Sequence, residues 1–321
     1  MTSAAAPPVA KGVSRALMLL THPRACSTAF ENRSSYVSQN SQVFMARRDA
    51  LVCFNESFAD PSFFGPEACV ERHDTNGETG AWPGFEYCTF QERVHLLEKK
   101  APPQEAQGKS AFAKDMAFQL SHWQPGQLPQ LAKPLAHLRC ERDSENPTVL
   151  PFEVLRQFHW ALLIRNPQQS IPSLYRLSST PAKREATGWH YFLPSEAGYA
   201  ELRRMFDYLL GQGLFPGGGG SKDTTNIDGG ERRWDYAMMQ SCVMDAEDLL
   251  EHPERVIQTF CRYIGLDYQS SILQWDNKED DDQAAQVFAT WTAFHRDAIE
   301  SRRLQARKPK TRRSKDEDFR A

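Results

Sequence analysis

The stretch ALMLLTHPRACSTAF, residues 16–30, predicts a buried strand, a short loop and the start of a helix. The apolar run at residues 16–20 has the length of a strand that is buried on both faces of a parallel sheet. Pro23 ends this run, and a helix is expected over residues 27–39. The order of strand, loop and helix therefore predicts an α/β unit, and its loop is the first candidate for a binding site.

The loop itself carries groups that bind an anion. Ser27 and Thr28 offer hydroxyls at the first turn of the expected helix, where unpaired backbone N–H groups and the helix dipole favour negative charge. Arg24 can add a charge-assisted and bidentate contact. The pattern predicts a phosphate-binding loop, and its alternative is an ordinary strand-to-helix connection capped by a serine.

A second segment repeats this organisation. Residues 158–164 predict another buried strand, Arg165 follows it, and a helix is expected to begin near Gln168. Ser173 lies eight residues after Arg165. The two residues are candidates for a second anion contact, and the alternative is a helix-entry ion pair with a helix-surface serine.

Two further strands are expected near residues 111–117 and 238–244, with helices between the strands. This alternation predicts an α/β domain with a central, mostly parallel sheet flanked by helices on both faces. In such sheets ligands bind at the carboxyl ends of the strands. Arg24, Lys114 and Arg165 are expected at those ends. The expected helices, besides 27–39, cover residues 89–100, 128–138 and 253–264, the last ending at Gly265.

Length, charge and hydropathy limit the class of protein. The 321 residues, with a net charge of −3 and a pI near 6.3, predict one α/β domain and no nucleic-acid partner. No run approaches the ~18 apolar residues of a membrane span, and the N-terminus has no apolar signal core, so we expect a cytoplasmic protein without a membrane partner. The seven cysteines are scattered without a C-x-x-C pair, which argues against a disulfide framework and a zinc site.

The chain divides into three parts by composition. Residues 1–14 are expected to be disordered, residues 15–303 to form the domain, and residues 304–321 to form a basic disordered tail whose alternative role is nuclear import or polyanion binding. Within the domain, the aromatic, Pro-rich and Gly-rich region 54–88 is a candidate lid, and the Gly-rich region 211–230 a candidate mobile loop. Residues 217–222, GGGGSK, have the composition of a Walker A loop without its Gly-Lys-Ser/Thr order.

The two anion-binding segments together resemble the sulfotransferase family. Members carry a loop T-x-P-[KR]-x-x-[ST]-T after the first strand, and here residues 21–28 read THPRACST. Members also carry R-[NH]-P with a serine eight residues beyond the arginine, as Arg165, Asn166, Pro167 and Ser173 do here. The resemblance, nearest to microbial and fungal members, implies a P-loop NTPase-like three-layer α/β fold.

The resemblance also implies a donor, 3'-phosphoadenosine 5'-phosphosulfate, and a metal-independent transfer of its sulfuryl group to a hydroxyl or phenol of a small molecule, such as a secondary metabolite. Arg24 would stabilise the leaving oxygen. The implied contacts are the side chains of Arg24, Ser27 and Thr28 with the amides of Ala25 and Cys26 for the 5'-phosphosulfate, and Arg165 with Ser173 for the 3'-phosphate.

The sequence departs from the family in two places. The first loop has no glycine, and Cys26 stands where many members have one, so the backbone must approach the phosphate with a Cβ present. The Lys-x-His in which members place a catalytic histidine is replaced by Lys114, Asp115 and Met116. The candidate bases are therefore Asp115, His122 and, in the candidate lid, His73. The alternative role of Asp115 is as a partner of Lys114 or a helix cap, and that of His122 is as a surface helix residue.

Two other functions remain open from the sequence. A protein of the same fold that binds without turnover is compatible with the missing histidine. A P-loop kinase or NTPase is disfavoured, because no G-x-x-x-x-G-K-[ST] is present and no aspartate is clearly placed for Mg²⁺.

Overall fold

The computed structural model describes residues 16–27, 47, 50–70, 84–100, 109–121, 131–187, 189–215, 242–273 and 304. Several sequence predictions lie outside these residues. They are the disordered N-terminus 1–14, the helix beyond Ser27, most of the Gly-rich region 211–230, and the tail after Leu304, together with Thr28, His73 and His122. Leu304 itself is buried, and its backbone N–H donates to the Leu273 carbonyl over 3.0 Å.

The described part of the chain forms a five-stranded sheet in which every neighbouring pair is parallel. The strand order is β2-β3-β1-β4-β5. With helices on both sides, this is the three-layer α/β architecture of P-loop proteins, which confirms the predicted fold class. The strands are β1 (Ala16–Thr21), β2 (Leu51–Asn55), β3 (Ser110–Met116), β4 (Phe158–Ile164) and β5 (Val243–Asp245).

The order of the strands places β1 in the centre, between β3 and β4. Leu20 is in register with Asp115 on one side and with Leu162 on the other. The carboxyl ends of these three strands therefore lie side by side. Strands β2 and β3 lie on one side of β1, and β4 and β5 lie on the other. The point where the strand order switches sides is where open α/β sheets bind ligands.

The described helices vary from one turn to more than three. They are α1 (Ala59–Phe63), α2 (Phe90–Lys100), α3 (Phe152–Leu155), α4 (Pro167–Tyr175), α5 (Pro181–Thr187), α6 (Tyr199–Gly211), α7 (Ala246–Glu251) and α8 (Pro253–Ile264). Short 3₁₀ helices cover Ala117–Leu120, Lys133–Leu138, Glu141–Glu145, Pro194–Ala197 and Ser270–Leu273. The predicted helices near residues 89–100, 168 and 253–264 are confirmed.

The side chains of β1 alternate between two apolar layers, as the period of a strand requires. Met18 and Leu20 pack with α2 and α6 on one face of the sheet. Leu17 and Leu19 pack with α7 and α8 on the other face. Each such fully buried side chain contributes about 1.5–3 kcal/mol through its burial, so the central strand is held firmly from both sides.

Helix α8 shows how the sequence fixes an element locally. Its buried residues Ile257, Phe260, Cys261 and Ile264 follow the spacing of one helical face. Gly265 ends the helix with φ +72°, a conformation that side chains disfavour, and the Leu266 N–H donates back to the Cys261 carbonyl over 2.8 Å. This is the boundary that the sequence predicts.

Two elements differ from the sequence predictions, and the strand expected at 238–244 lies mostly outside the described residues. Strand β2 was not predicted, because a five-residue strand beside an aromatic and Pro-rich region gives a weak periodic signal. The strand expected at 238–244 is observed only at Val243–Asp245 within the described residues. The helix expected at 128–138 is a 3₁₀ helix at Lys133–Leu138, where Pro134 cannot donate a backbone hydrogen bond.

Within the described ranges, no helix is both long enough and apolar enough to cross a membrane.

Candidate functional site

The loop after β1 has an unusual backbone. Arg24 and Cys26 both adopt left-handed φ values, +64° and +63°, although neither is glycine. A left-handed residue with a Cβ costs roughly 1–2 kcal/mol, so the surrounding structure must hold this loop in place. Ala25, between the two, is completely buried in the core and provides such an anchor. Alternating backbone handedness turns successive N–H groups towards one side, which forms an anion-binding concavity.

Ser27, the last described residue of this segment, is helical, and its side chain is buried. The loop therefore brings the N–H groups of residues 25–27 to a helix start at the carboxyl end of the central strand. This is the local geometry in which proteins hold phosphate groups.

The second segment begins at the end of β4. Asn166 caps α4, since its side chain accepts a hydrogen bond from the Gln168 N–H over 2.9 Å. Pro167 occupies the first turn, where its missing N–H costs nothing. The sequence Asn-Pro therefore fixes where α4 starts, and the helix carries Ser173, a buried residue, back towards the loop after β1.

The two segments meet through a direct contact. The Arg24 guanidinium donates from Nε to the Ser173 hydroxyl oxygen over 2.9 Å. Arg165 reaches the same loop from the other side, because its Nη1 donates to the Arg24 carbonyl oxygen over 3.0 Å. The structure thus brings together three residues that the sequence assigned to two separate phosphate contacts.

Arg165 forms an ion pair at the start of a helix, as its alternative role in the sequence analysis predicts, and the sequence did not indicate which residue would be the partner. Its Nε donates to Glu247 Oε1 over 2.8 Å. Glu247 lies in the first turn of α7, where the Asp245 carboxylate accepts its backbone N–H over 2.7 Å. Among the described residues, the contacts of Arg165 use two of the five N–H donors of a guanidinium, and the ion pair fixes its orientation.

His22 and Tyr199 are two further residues of the site that the sequence did not indicate. His22 accepts the Arg165 backbone N–H at Nε2 over 2.9 Å, and its ring lies against that of Tyr199 with centroids 4.2 Å apart. The pKa of His22 falls from 6.5 to about 4, chiefly because the ring is buried and also because the Arg165 charge is near. A lone histidine before a proline gives no sequence signal for such a contact.

Asp115 lies at the carboxyl end of β3, beside the first loop, and is completely buried. Its Oδ1 accepts the Phe58 N–H over 2.9 Å, while Oδ2 has no hydrogen-bond partner among the residues that the structure covers. Burial raises the pKa of this carboxyl from 3.8 to about 8, and the nearby Glu56 charge acts in the same direction. Such a group can exchange a proton near neutral pH.

The expectation that Lys114 contributes a cation at the sheet edge was wrong. Lys114 lies within β3, opposite Leu19, and its side chain is 1% exposed. Its ammonium donates to Glu56 Oε1 over 2.7 Å, and Gln119 Nε2 donates to the other oxygen of that carboxylate over 3.1 Å. Strand alternation places the Lys114 side chain on the face of the sheet opposite Asp115, where its charge is paired with the partly buried Glu56.

Searching the described residues for three or more histidine, cysteine, aspartate or glutamate side chains that could hold a metal ion yields no such group. The seven cysteines are free thiols.

Comparison with known proteins finds similarity to fungal sulfotransferases. Sulfotransferase ppzF of Metarhizium majus is 24% identical over 197 residues, which cover 59% of this chain and 54% of that protein. Sulfotransferase ppzF of Metarhizium rileyi is 26% identical over 131 residues, 41% of this chain and 34% of that protein. The chain therefore matches about half and about a third of the length of these relatives, and its sequence is sulfotransferase-like.

No protein-family model matches the chain, and no solved structure is significantly similar to it.

Proposed function

We propose that this protein is a sulfotransferase that uses 3'-phosphoadenosine 5'-phosphosulfate to sulfate a hydroxyl or phenol of a small molecule. The observation that carries the proposal is the Arg24–Ser173 hydrogen bond of 2.9 Å. It joins the two segments whose sequences match the two phosphate-binding patterns of that family. The similarity to the two fungal sulfotransferases supports the same class of reaction.

In this proposal the loop after β1 holds the 5'-phosphosulfate. The backbone N–H groups of Ala25, Cys26 and Ser27 face the anion with the Ser27 and Thr28 hydroxyls, Thr28 being assigned from the sequence pattern alone. The left-handed residues Arg24 and Cys26 aim these groups before any ligand arrives. Donors that are preorganised in this way stabilise developing charge without reorganising during the reaction.

The segment after β4 holds the 3'-phosphate. Arg165 and Ser173 provide a guanidinium and a hydroxyl, and the Arg24 side chain already contacts Ser173. A charge-assisted contact to phosphate is worth about 1.5–3 kcal/mol, so these residues can select a nucleotide with phosphates at both 3' and 5' positions.

The bound donor supplies an activated sulfuryl group and a phosphate leaving group. Arg24 stabilises the charge that develops on the bridging oxygen as the bond from sulfur to that oxygen breaks and the bond to the acceptor oxygen forms. The acceptor proton passes to a base. The sulfuryl group carries less negative charge than a γ-phosphate, so fixed cations and amides suffice, and we propose a reaction that needs no metal.

Asp115 is the candidate base for which the structure describes a geometry. Its pKa is raised to about 8, so the carboxyl is ionised above that pH and can then take up the proton of the acceptor. His122 and His73 remain alternatives on sequence grounds.

A binding protein of the same fold that does not turn over is the second candidate. The observation that favours it is the complete burial of Asp115, which an acceptor could reach only if nearby groups moved.

A transfer assay with donor labelled in its sulfuryl group tests the proposal against this second candidate. We expect labelled sulfate esters from a panel of phenols with the wild-type protein and with Arg156→Ala, whose side chain lies on the surface. Arg24→Ala should lower turnover at least about a hundredfold. Thermal stabilisation by adenosine 3',5'-bisphosphate without transfer would favour the binding protein, and stabilisation by ATP with Mg²⁺ alone would indicate a kinase or NTPase.

A further inference from the structure

The Arg165 peptide unit is held from both sides by two side chains that touch each other. Its N–H donates to His22 Nε2 over 2.9 Å, and its carbonyl accepts from the Tyr199 hydroxyl over 2.7 Å. The His22 and Tyr199 rings are 4.2 Å apart between centroids and tilted by 35°. Two side chains in ring contact therefore fix both polar backbone groups of the residue that follows β4.

The chemistry of the partners defines the state of His22. Pro23 O can only accept, so the His22 Nδ1, at 3.0 Å, carries the proton. The Arg165 N–H can only donate, so Nε2 must be unprotonated. The ring is thus a neutral imidazole with a fixed tautomer, and a protonated ring would lose the Arg165 contact.

Tyr199 ties the same peptide to the helix that carries Ser173. Its hydroxyl proton goes to the Arg165 carbonyl, so its oxygen accepts from the Ser170 hydroxyl in a short hydrogen bond. Ser170 is a buried residue of α4, one turn before Ser173. The contact therefore fixes Arg165 and α4 relative to each other.

The start of α6 is shaped to let Tyr199 lie against His22. Gly198 precedes the tyrosine with φ +72°, and a Cβ added there would lie 3.4 Å from the His22 Cβ. A contact of that length is ordinary van der Waals packing, so the glycine is needed at this position for its left-handed backbone and not for space.

We propose that His22 and Tyr199 are positioning residues that set the placement of Arg165 relative to Ser173 and thereby the recognition of the 3'-phosphate. This inference rests on the proposed function. Neither side chain needs to touch the nucleotide. Both act through the Arg165 backbone, so their loss should weaken the 3'-phosphate contact and leave the 5'-phosphate loop largely intact.

The test compares two ligands that differ only in the 3'-phosphate. Isothermal titration gives the affinities for adenosine 3',5'-bisphosphate and for adenosine 5'-monophosphate, and their ratio measures what the 3'-phosphate contributes. Tyr199→Phe keeps the ring that contacts His22 and removes the hydroxyl. His22→Phe keeps a ring and removes both polar contacts, whereas His22→Gln places an amide oxygen where Nε2 accepts.

We expect Tyr199→Phe and His22→Phe to lower this ratio at least about tenfold, which corresponds to the loss of about one net hydrogen bond or more. The affinity for the monophosphate should change less than about threefold. His22→Gln should retain much of the ratio. Matched controls are Tyr175→Phe, 55% exposed on α4, and His137→Phe, exposed in a separate 3₁₀ helix. Both should behave as wild type.

The possible outcomes distinguish a failure of the positioning role from a failure of the proposed function. A wild-type protein that does not prefer the bisphosphate overturns the proposed function. A wild-type protein that does prefer it, with folded Tyr199→Phe keeping the full ratio, overturns the positioning role alone. Equal weakening of both ligands also overturns it, because general destabilisation would act on both. If His22→Phe does not fold, Tyr199→Phe still decides, since it removes one oxygen atom only.

Discussion

Arg24 donates a hydrogen bond from Nε to the Ser173 hydroxyl over 2.9 Å, although 149 residues separate the two in sequence. The contact exists because β1 and β4 are adjacent parallel strands, so the segments that follow them leave the same edge of the sheet. A cation of the first segment and a hydroxyl of the second are therefore in direct contact, and we propose that together they bind an anion. The predictions below follow from this contact and from the buried groups around it.

Replacing Ser173 with alanine removes the hydroxyl that accepts from Arg24. We expect about tenfold weaker binding of adenosine 3',5'-bisphosphate, the equivalent of one hydrogen bond of about 1–1.5 kcal/mol. Binding of adenosine 5'-monophosphate should change much less. Titration calorimetry measures both. Ser179→Ala, at a half-buried position four residues beyond α4, is the matched control. An unchanged bisphosphate affinity would remove Ser173 from the site.

Because Cys26 has a left-handed backbone, we expect glycine to be more stable than alanine at this position, the reverse of the usual order. At most positions glycine is less stable than alanine by about 0.5–1 kcal/mol. At φ +63° alanine keeps the strain of its Cβ and glycine does not, so we expect Cys26→Gly to be more stable than Cys26→Ala by about 1 kcal/mol. Both variants lose the thiol, so their difference isolates the backbone term. Urea unfolding measures it, and alanine proving the more stable would contradict the left-handed assignment.

The elements that could be predicted from sequence are those with strong local signals. The apolar runs of β1 and β4 and the face of α8 with Gly265 are of this kind. Strand β2 has only five residues and pairs at the sheet edge, where its stability comes from β3. Propensity alone does not show such a tertiary contribution.

In the candidate site, the sequence patterns predicted the proximity of Arg24, Arg165 and Ser173. The residues that hold Arg165 were missed, because Glu247, His22 and Tyr199 reach it from three separate elements of the fold. No spacing rule links such positions. Lys114 shows the opposite error, since a lysine near a strand end was expected to contact a ligand and is instead buried in an ion pair with the partly buried Glu56.

The buried His22 ring should lower the free energy of unfolding in acid. Its pKa falls from 6.5 to about 4 on folding, so the unfolded chain binds more protons in that window. The contribution of His22 is therefore complete above about pH 6.5 and is lost as pH falls towards 4, amounting to roughly 3 kcal/mol over the window. Urea unfolding at several pH values should show a smaller acid loss for His22→Phe than for wild type or His137→Phe. The same pH dependence in all three would contradict the neutral, buried state.

The Asp115 carboxyl should make the free energy of unfolding depend on pH in the opposite direction. Folding raises its pKa from 3.8 to about 8, so the native state binds more protons between these values, and its contribution declines as pH rises through them. Asp115→Asn keeps an oxygen to accept the Phe58 N–H and cannot ionise. We expect this variant to exceed wild type in free energy of unfolding above about pH 8, with little difference near pH 4. Wild type remaining the more stable at high pH would contradict a protonated Asp115.

The same variant tests the base assignment, because only loss of the true base should abolish the acidic limb of the pH–rate profile. We expect Asp115→Asn to lose sulfuryl transfer and His122→Ala to retain it. The reverse result would move the role to His122.

A crystal structure with bound adenosine 3',5'-bisphosphate tests the central claim most directly, because it shows which phosphate each segment holds. The account predicts the 5'-phosphate on the N–H groups of Ala25, Cys26 and Ser27, and the 3'-phosphate within hydrogen-bond distance of Arg165 and Ser173. A nucleotide bound away from the carboxyl ends of β1 and β4, or with its 3'-phosphate contacting neither Arg165 nor Ser173, would contradict it.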